Sequence, residues 1–100
     1  MPKVTTITFA TSAIADLDDI LAWYADQQVP EVGKQQVRKI IQQVEILREQ
    51  PEMGRIVPEF GNENLREIVR SPYRIVYRRQ KNKIGIVRVW RSERLLKDPT

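Results

Sequence analysis

The chain has 100 residues, with 17 Lys+Arg against 13 Asp+Glu and neither His nor Cys. Without Cys there is no disulfide framework, thiol nucleophile or thiolate metal site; without His there is no serine triad, imidazole base or ordinary zinc site. Any chemistry falls to carboxylates, Lys/Arg, Tyr or backbone groups, with no metal and no cofactor expected, in a single domain of this length built on one core.

Residues 3–9, Lys-Val-Thr-Thr-Ile-Thr-Phe, are dominated by β-branched side chains and place Thr5, Ile7 and Phe9 on one face, as a short strand requires. The period then changes. Ile14, Leu17, Leu21 and Tyr24 recur at helical spacing with Ile20 beside them, and Thr11 or Ser12 is the expected N-cap. Asp16, Asp18 and Asp19 fall in the first turns, where the helix dipole favours negative charge, so they are expected on a solvated face. Pro30 and Glu31 open a second helix whose apolar stripe is Val37, Ile40, Ile41, Val44 and Leu47, and Gln50-Pro51 closes it. The short link Gln27-Gln28-Val29 predicts an antiparallel helical hairpin that must bury its stripes on a sheet.

Residues 51–64 hold Pro51, Gly54, Pro58, Gly61, Asn62 and Asn64 and read as a loop. Three strand-like runs follow, at 65–70, 73–79 and 84–91, separated by Ser71-Pro72 and Gln80-Lys81-Asn82-Lys83. Short connections between sequential strands predict a meander. The expected fold is therefore α+β, in the order β-α-α-β-β-β: a small antiparallel sheet packed against an N-terminal helical hairpin, with the first strand joining as an edge or neighbour.

Charge is unevenly distributed. Residues 1–65 carry a net charge of −4 and residues 66–100 a net charge of +8. Arg74 and Arg78 alternate with Tyr73, Ile75 and Tyr77, so the two arginines are expected on the opposite face from the helices, with Arg88 beside them and Arg91, Arg94 and Lys97 following. Such a surface suits a phosphate backbone or an acidic protein segment, whereas a smaller excess would only keep a sheet soluble and its edges apart. Trp90 can stack on a base or anchor an interface, and a Trp at a strand end also serves as packing. No apolar run reaches the 18 residues of a membrane span, and the first residues lack the apolar core of a signal peptide, so a cytoplasmic protein without a membrane partner is expected.

Three ordered segments carry a family resemblance. Leu47 to Glu59, including Pro51-Glu52-Met53-Gly54-Arg55 and Pro58-Glu59, is the first. Leu65-Arg66-Glu67-Ile68-Val69 with Pro72-Tyr73-Arg74-Ile75-Val76-Tyr77-Arg78 is the second, and Val87 to Arg94 the third. Together they resemble the ParE/RelE toxins of bacterial type II toxin–antitoxin systems, and the same β-α-α-β-β-β order is implied. RelE-like members are ribosome-dependent endoribonucleases acting on mRNA, whereas ParE-like members poison DNA gyrase. Arg74 and Arg94 match two basic positions of the nuclease branch. Its lysines on the preceding strand do not match, its late tyrosine has no counterpart in Lys97-Asp98-Pro99-Thr100, and Arg91 stands where many relatives carry His. An arginine stays protonated at neutral pH and is a poor proton shuttle, so the resemblance favours the ParE branch. In that reading Arg74 is either part of a binding surface or a structural residue bonded to backbone or to a carboxylate such as Glu59. The resemblance further implies an acidic-tailed antitoxin that folds onto the toxin, as part of a hetero-oligomer or beside a toxin homodimer. The target- or antitoxin-binding residues it points to are Arg74, Arg78, Arg88, Trp90, Arg91, Arg94 and Lys97.

Overall fold

A computed structural model describes residues 5–91. Strand β1 (Thr6–Phe9) leads into helices α1 (Thr11–Asp26) and α2 (Pro30–Ile46); strands β2 (Arg55–Ile56), β3 (Leu65–Arg70), β4 (Tyr73–Gln80) and β5 (Lys83–Arg91) follow. They form one five-stranded sheet in the order β1-β5-β4-β3-β2, with the helical hairpin over one face. Arg94 and Lys97 lie outside the described residues.

The meander is antiparallel, as expected, but the sheet is mixed, because β1 runs parallel to β5. The hairpin carries the chain across the sheet to its far side. The meander then advances back towards β1, and its last strand arrives running the same way. Ile7 and Phe9 thereby sit beside Ile84 and Ile86, all four contributing to the core under the helices. Strand β2 lies inside the segment read as loop; its two residues pair with Arg66 and Glu67.

The core is built from Ala13 and Ile20 of α1, Ile40 and Val44 of α2, Leu47, and Tyr73, Ile75, Tyr77, Ile84, Ile86 and Val89 of the sheet. Burying side chains of this size contributes about 1.5–3 kcal/mol each. Ile86 and Val89 are three residues apart yet share the helix-facing side, because Tyr77 pairs with Ile86 and Val76 with Arg88. Val87 is the extra residue of that bulge and resets the alternation. The helices approach closely where Gly33 faces Tyr24: a Cβ at Gly33 would lie 2.9 Å from that of Tyr24. Ile41, assigned to the apolar stripe of α2, is instead exposed, since the stripe that meets the sheet runs along Ile40, Val44 and Leu47.

Two further expectations are corrected at the start of α1. Ala10 is the N-cap and no side chain caps it; the Ser12 hydroxyl donates to the carbonyl of Val87 at 2.8 Å instead. Asp16 is buried, not solvated, because β5 supplies partners for both its oxygens. Asp18 and Asp19 are exposed as expected.

Candidate functional site

Register assigns the faces of the sheet. Arg74 pairs with Val69 and Trp90, Arg78 with Leu65 and Gly85, and Val76 with Glu67 and Arg88, all on the side away from the helices. Arg74 and Arg78 therefore share a face, as expected. Of the two, only Arg78 is exposed. The segment after β2 folds over this face and buries Val57 and Val76, which are separate from the main core.

That fold-over converts Arg74 into the centre of an ion cluster. Its Nη1 and Nη2 donate to the two carboxylate oxygens of Glu59 at 3.0 Å, its Nε donates to Glu67, and Nη2 also contacts Glu67. Arg55 Nε donates to the other Glu67 oxygen at 2.6 Å. Arg74 is 6% exposed and Glu67 1%. The paired carboxylates hold the Arg74 guanidinium above its ordinary pKa, Glu59 most of all and against the effect of burial. Nearby, the Tyr77 hydroxyl donates to the carbonyl of Pro51 at 2.9 Å and accepts from the Gly54 N–H at 3.0 Å, while Arg66 Nη1 donates to the Gly54 carbonyl. The segment 51–59 is thus stapled to the sheet at Tyr77, Arg66 and Arg74. Glu67 and Gly54, which make this arrangement, escaped the residue-level reading: an acid in an arginine-rich strand reads as a surface charge until its burial is known.

The second constellation lies between α1 and the C-terminal half of β5. Asp16 accepts two hydrogen bonds from Arg88 at 2.9 Å and one from the Val89 N–H at 2.8 Å. The Arg88 guanidinium sits 4.9 Å from the Trp90 ring. Arg91 lies on the helix side, its guanidinium 5.6 Å from the ring of Trp23 and 5.9 Å from that of Tyr73. These residues line a groove of about 340 Å³ with Tyr24 and Ile20. Burial pushes the Tyr73 hydroxyl pKa up, helped by the adjacent Tyr24 hydroxyl, and burial does the same at Tyr77. Both phenols stay protonated at neutral pH.

The predicted basic residues are therefore divided. Arg74 is enclosed, Arg78 is open, Arg88 and Trp90 flank the rim of the groove, and Arg91 lies inside it. Trp23, Tyr24 and Asp16 complete the groove and were not among the candidates, because the helical periodicity assigns α1 residues to core or solvent without showing which strand end they meet. Among the described residues, no cluster of three carboxylates could hold a metal ion, and no helix is long and apolar enough to cross a membrane.

The cluster has a pH signature. The Arg74 hydrogen bonds, with one from the backbone of Glu59 itself, hold the Glu59 carboxyl below its ordinary value of 4.5. A carboxyl with a depressed folded-state pKa adds stability above its unfolded value and loses it as pH falls through the folded one. The urea midpoint is expected to drop as pH is lowered below about 4.5, and Glu59→Gln should flatten that drop. An unchanged pH profile in the variant would remove Glu59 from the acid response.

A family model described as "ParE toxin of type II toxin-antitoxin system, parDE" matches residues 7–96. Among solved structures, a chain of "Chromosomal ParDE TA system from P. aeruginosa" is similar at 27% identity, with a TM-score of 0.72, covering 88% of this chain and 96% of that one. A comparison with curated proteins gives no match.

Proposed function

Because this chain belongs to the ParE toxin family, and so to the toxins of type II toxin–antitoxin systems, we propose that it acts by binding DNA gyrase rather than by cutting RNA. One observation carries this choice. Arg74, the described member of the pair that RNA cleavage would recruit, is enclosed and bonded to Glu59 and Glu67. A catalytic arginine must offer its N–H groups to a strained phosphate, and three N–H groups of this one are already engaged by carboxylates. The exposed Arg78, with the half-buried Arg88, Trp90 and Arg91 around the groove beside α1, suits a protein-binding surface, with Arg94 and Lys97 completing the set named from the sequence. Neutralisation by an acidic-tailed antitoxin belongs to the same reading.

Purified protein at micromolar concentration is expected to block supercoiling by DNA gyrase and to build up the cleaved-DNA complex. Unimpaired supercoiling with no cleaved complex would overturn the gyrase reading. Cuts in the ribosomal A site, seen by toeprinting on translating ribosomes, would replace it with the nuclease reading.

A further inference from the structure

The two ends of the sheet are finished differently. Beyond β1, the outer edge of β5 is capped by α1 side chains: Ser12 Oγ bonds the Val87 carbonyl and Asp16 Oδ2 bonds the Val89 N–H. At the other end, β2 covers β3 only at Arg66 and Glu67. The Val57 N–H donates to the Leu65 carbonyl, so the backbone groups of Leu65 and Glu67 face β2. By alternation, those of Val69 face the same way, past the end of β2. Among the described residues no hydrogen bond meets them there, and Val69 is 49% exposed. A strand edge left in this state is a template for another strand.

The surroundings select the strand. Two hollows of about 340 and 560 Å³ meet at Val69, between β3 and one side of α2. Lys39 of α2 and Arg70 are exposed on their walls, Arg55 borders them, and Met53 adds exposed apolar surface. Among the described residues the one acid in the lining is Glu67, whose side chain is fully buried and engaged by Arg55 and Arg74. A second copy added through the same edge would bring two sets of these cations together, whereas an acidic segment would neutralise them.

Resting on the toxin–antitoxin reading, we propose that an extended acidic segment of the antitoxin adds to β3 as a sheet strand. It exchanges main-chain hydrogen bonds with Val69 and places its carboxylates against Lys39 and Arg70. This edge is separate from the groove beside β5.

The probe is the protein encoded in the adjacent reading frame, added to isotopically labelled toxin. Amide exchange at Val69 should slow in the complex. Val69→Pro removes the outward N–H at an edge position where proline is tolerated, and should weaken binding at least about tenfold with an unchanged circular dichroism spectrum. The double variant Lys39→Glu/Arg70→Glu, which leaves the backbone intact, should weaken it comparably and steepen its loss with salt. Binding with no change in Val69 exchange and full affinity of both variants would overturn the edge proposal while leaving the toxin–antitoxin reading standing. No binding at all by the wild-type protein would overturn both. Protection of Val69 in the free toxin that grows with its concentration would assign the edge to a second copy and overturn the proposal.

Discussion

Glu67→Ala is expected to lower the free energy of unfolding by about 3 kcal/mol, the low end of what removing one partner of a buried ion pair costs. The figure follows from what each partner does afterwards. Arg55 is 63% exposed at its side chain and turns to water. Arg74 cannot: it is 7% exposed at its side chain, and its remaining partner Glu59 is half exposed and better screened. Glu59→Ala should therefore cost markedly less than Glu67→Ala. Replacing the inner pair together, Glu67→Leu with Arg74→Met, should recover most of the loss, since apolar groups of similar volume often substitute for a buried ion pair without penalty. Urea denaturation of the four proteins checks this. No recovery in the double variant relative to Glu67→Ala would mean that the loss does not come from leaving Arg74 buried without Glu67.

Gly54→Ala is expected to be nearly as damaging, at about 2–3 kcal/mol, or on the order of 10 °C in melting temperature. A Cβ there would lie 2.7 Å from the Glu67 carbonyl oxygen and 2.7 Å from both Cε1 and the hydroxyl of Tyr77. One obstacle is strand backbone and the other a fully buried ring, so neither gives way cheaply. The segment must lift, losing the Gly54 N–H bond to Tyr77 and the bond from Arg66 to the Gly54 carbonyl. Tyr77→Phe removes the hydroxyl and its two bonds without inserting an atom, and should cost about 1–2 kcal/mol. If Gly54→Ala melts like the wild type, the close approach at Gly54 is not a constraint. The loosening should also reach the cover over Arg74, because β2, Val57 and Glu59 all follow Gly54. Calorimetry of Gly54→Ala at pH 7 and pH 4 would then show a weaker acid response than the wild type.

Local pattern was enough to locate α1, α2 and the three meander strands. In α2, β4 and β5 the apolar period survives in the core, as Ile40 with Val44, Ile75 with Tyr77 and Ile84 with Ile86; in α1 it survives at Ile20, while Ile14, read as part of the stripe, is exposed. Pairings between distant segments were not legible. Strand β2 has two residues and no pattern to read. The parallel pairing of Ile7 with Ile84 depends on where the hairpin returns the chain, which no local window contains. The same limit governed the site. Arg74 and Arg78 alternate as the strand period requires, yet only the path of residues 57–59 decides which one is covered. Asp16 stands beside two exposed aspartates and differs from them only in facing Arg88, 72 positions away. The resemblance to toxins, by contrast, was readable from three short segments, because it rests on residue identities at spacings and not on which surfaces meet.

The pairing of the first strand with the last sets a timetable for the nascent chain. A ribosome makes β1 first, and the strand that receives it is made only after the helices, the folded-over segment and two further strands. Until Ile86 has emerged, Ile7 and Phe9 lack the neighbours that bury them, and the apolar stripes of a finished helical hairpin have no complete sheet to lie on. Contacts so distant along the chain form slowly, because loop closure must precede the burial that rewards it. The domain therefore assembles as a late, concerted event once β5 has been made, and a partner acting earlier would meet separate elements rather than a finished surface.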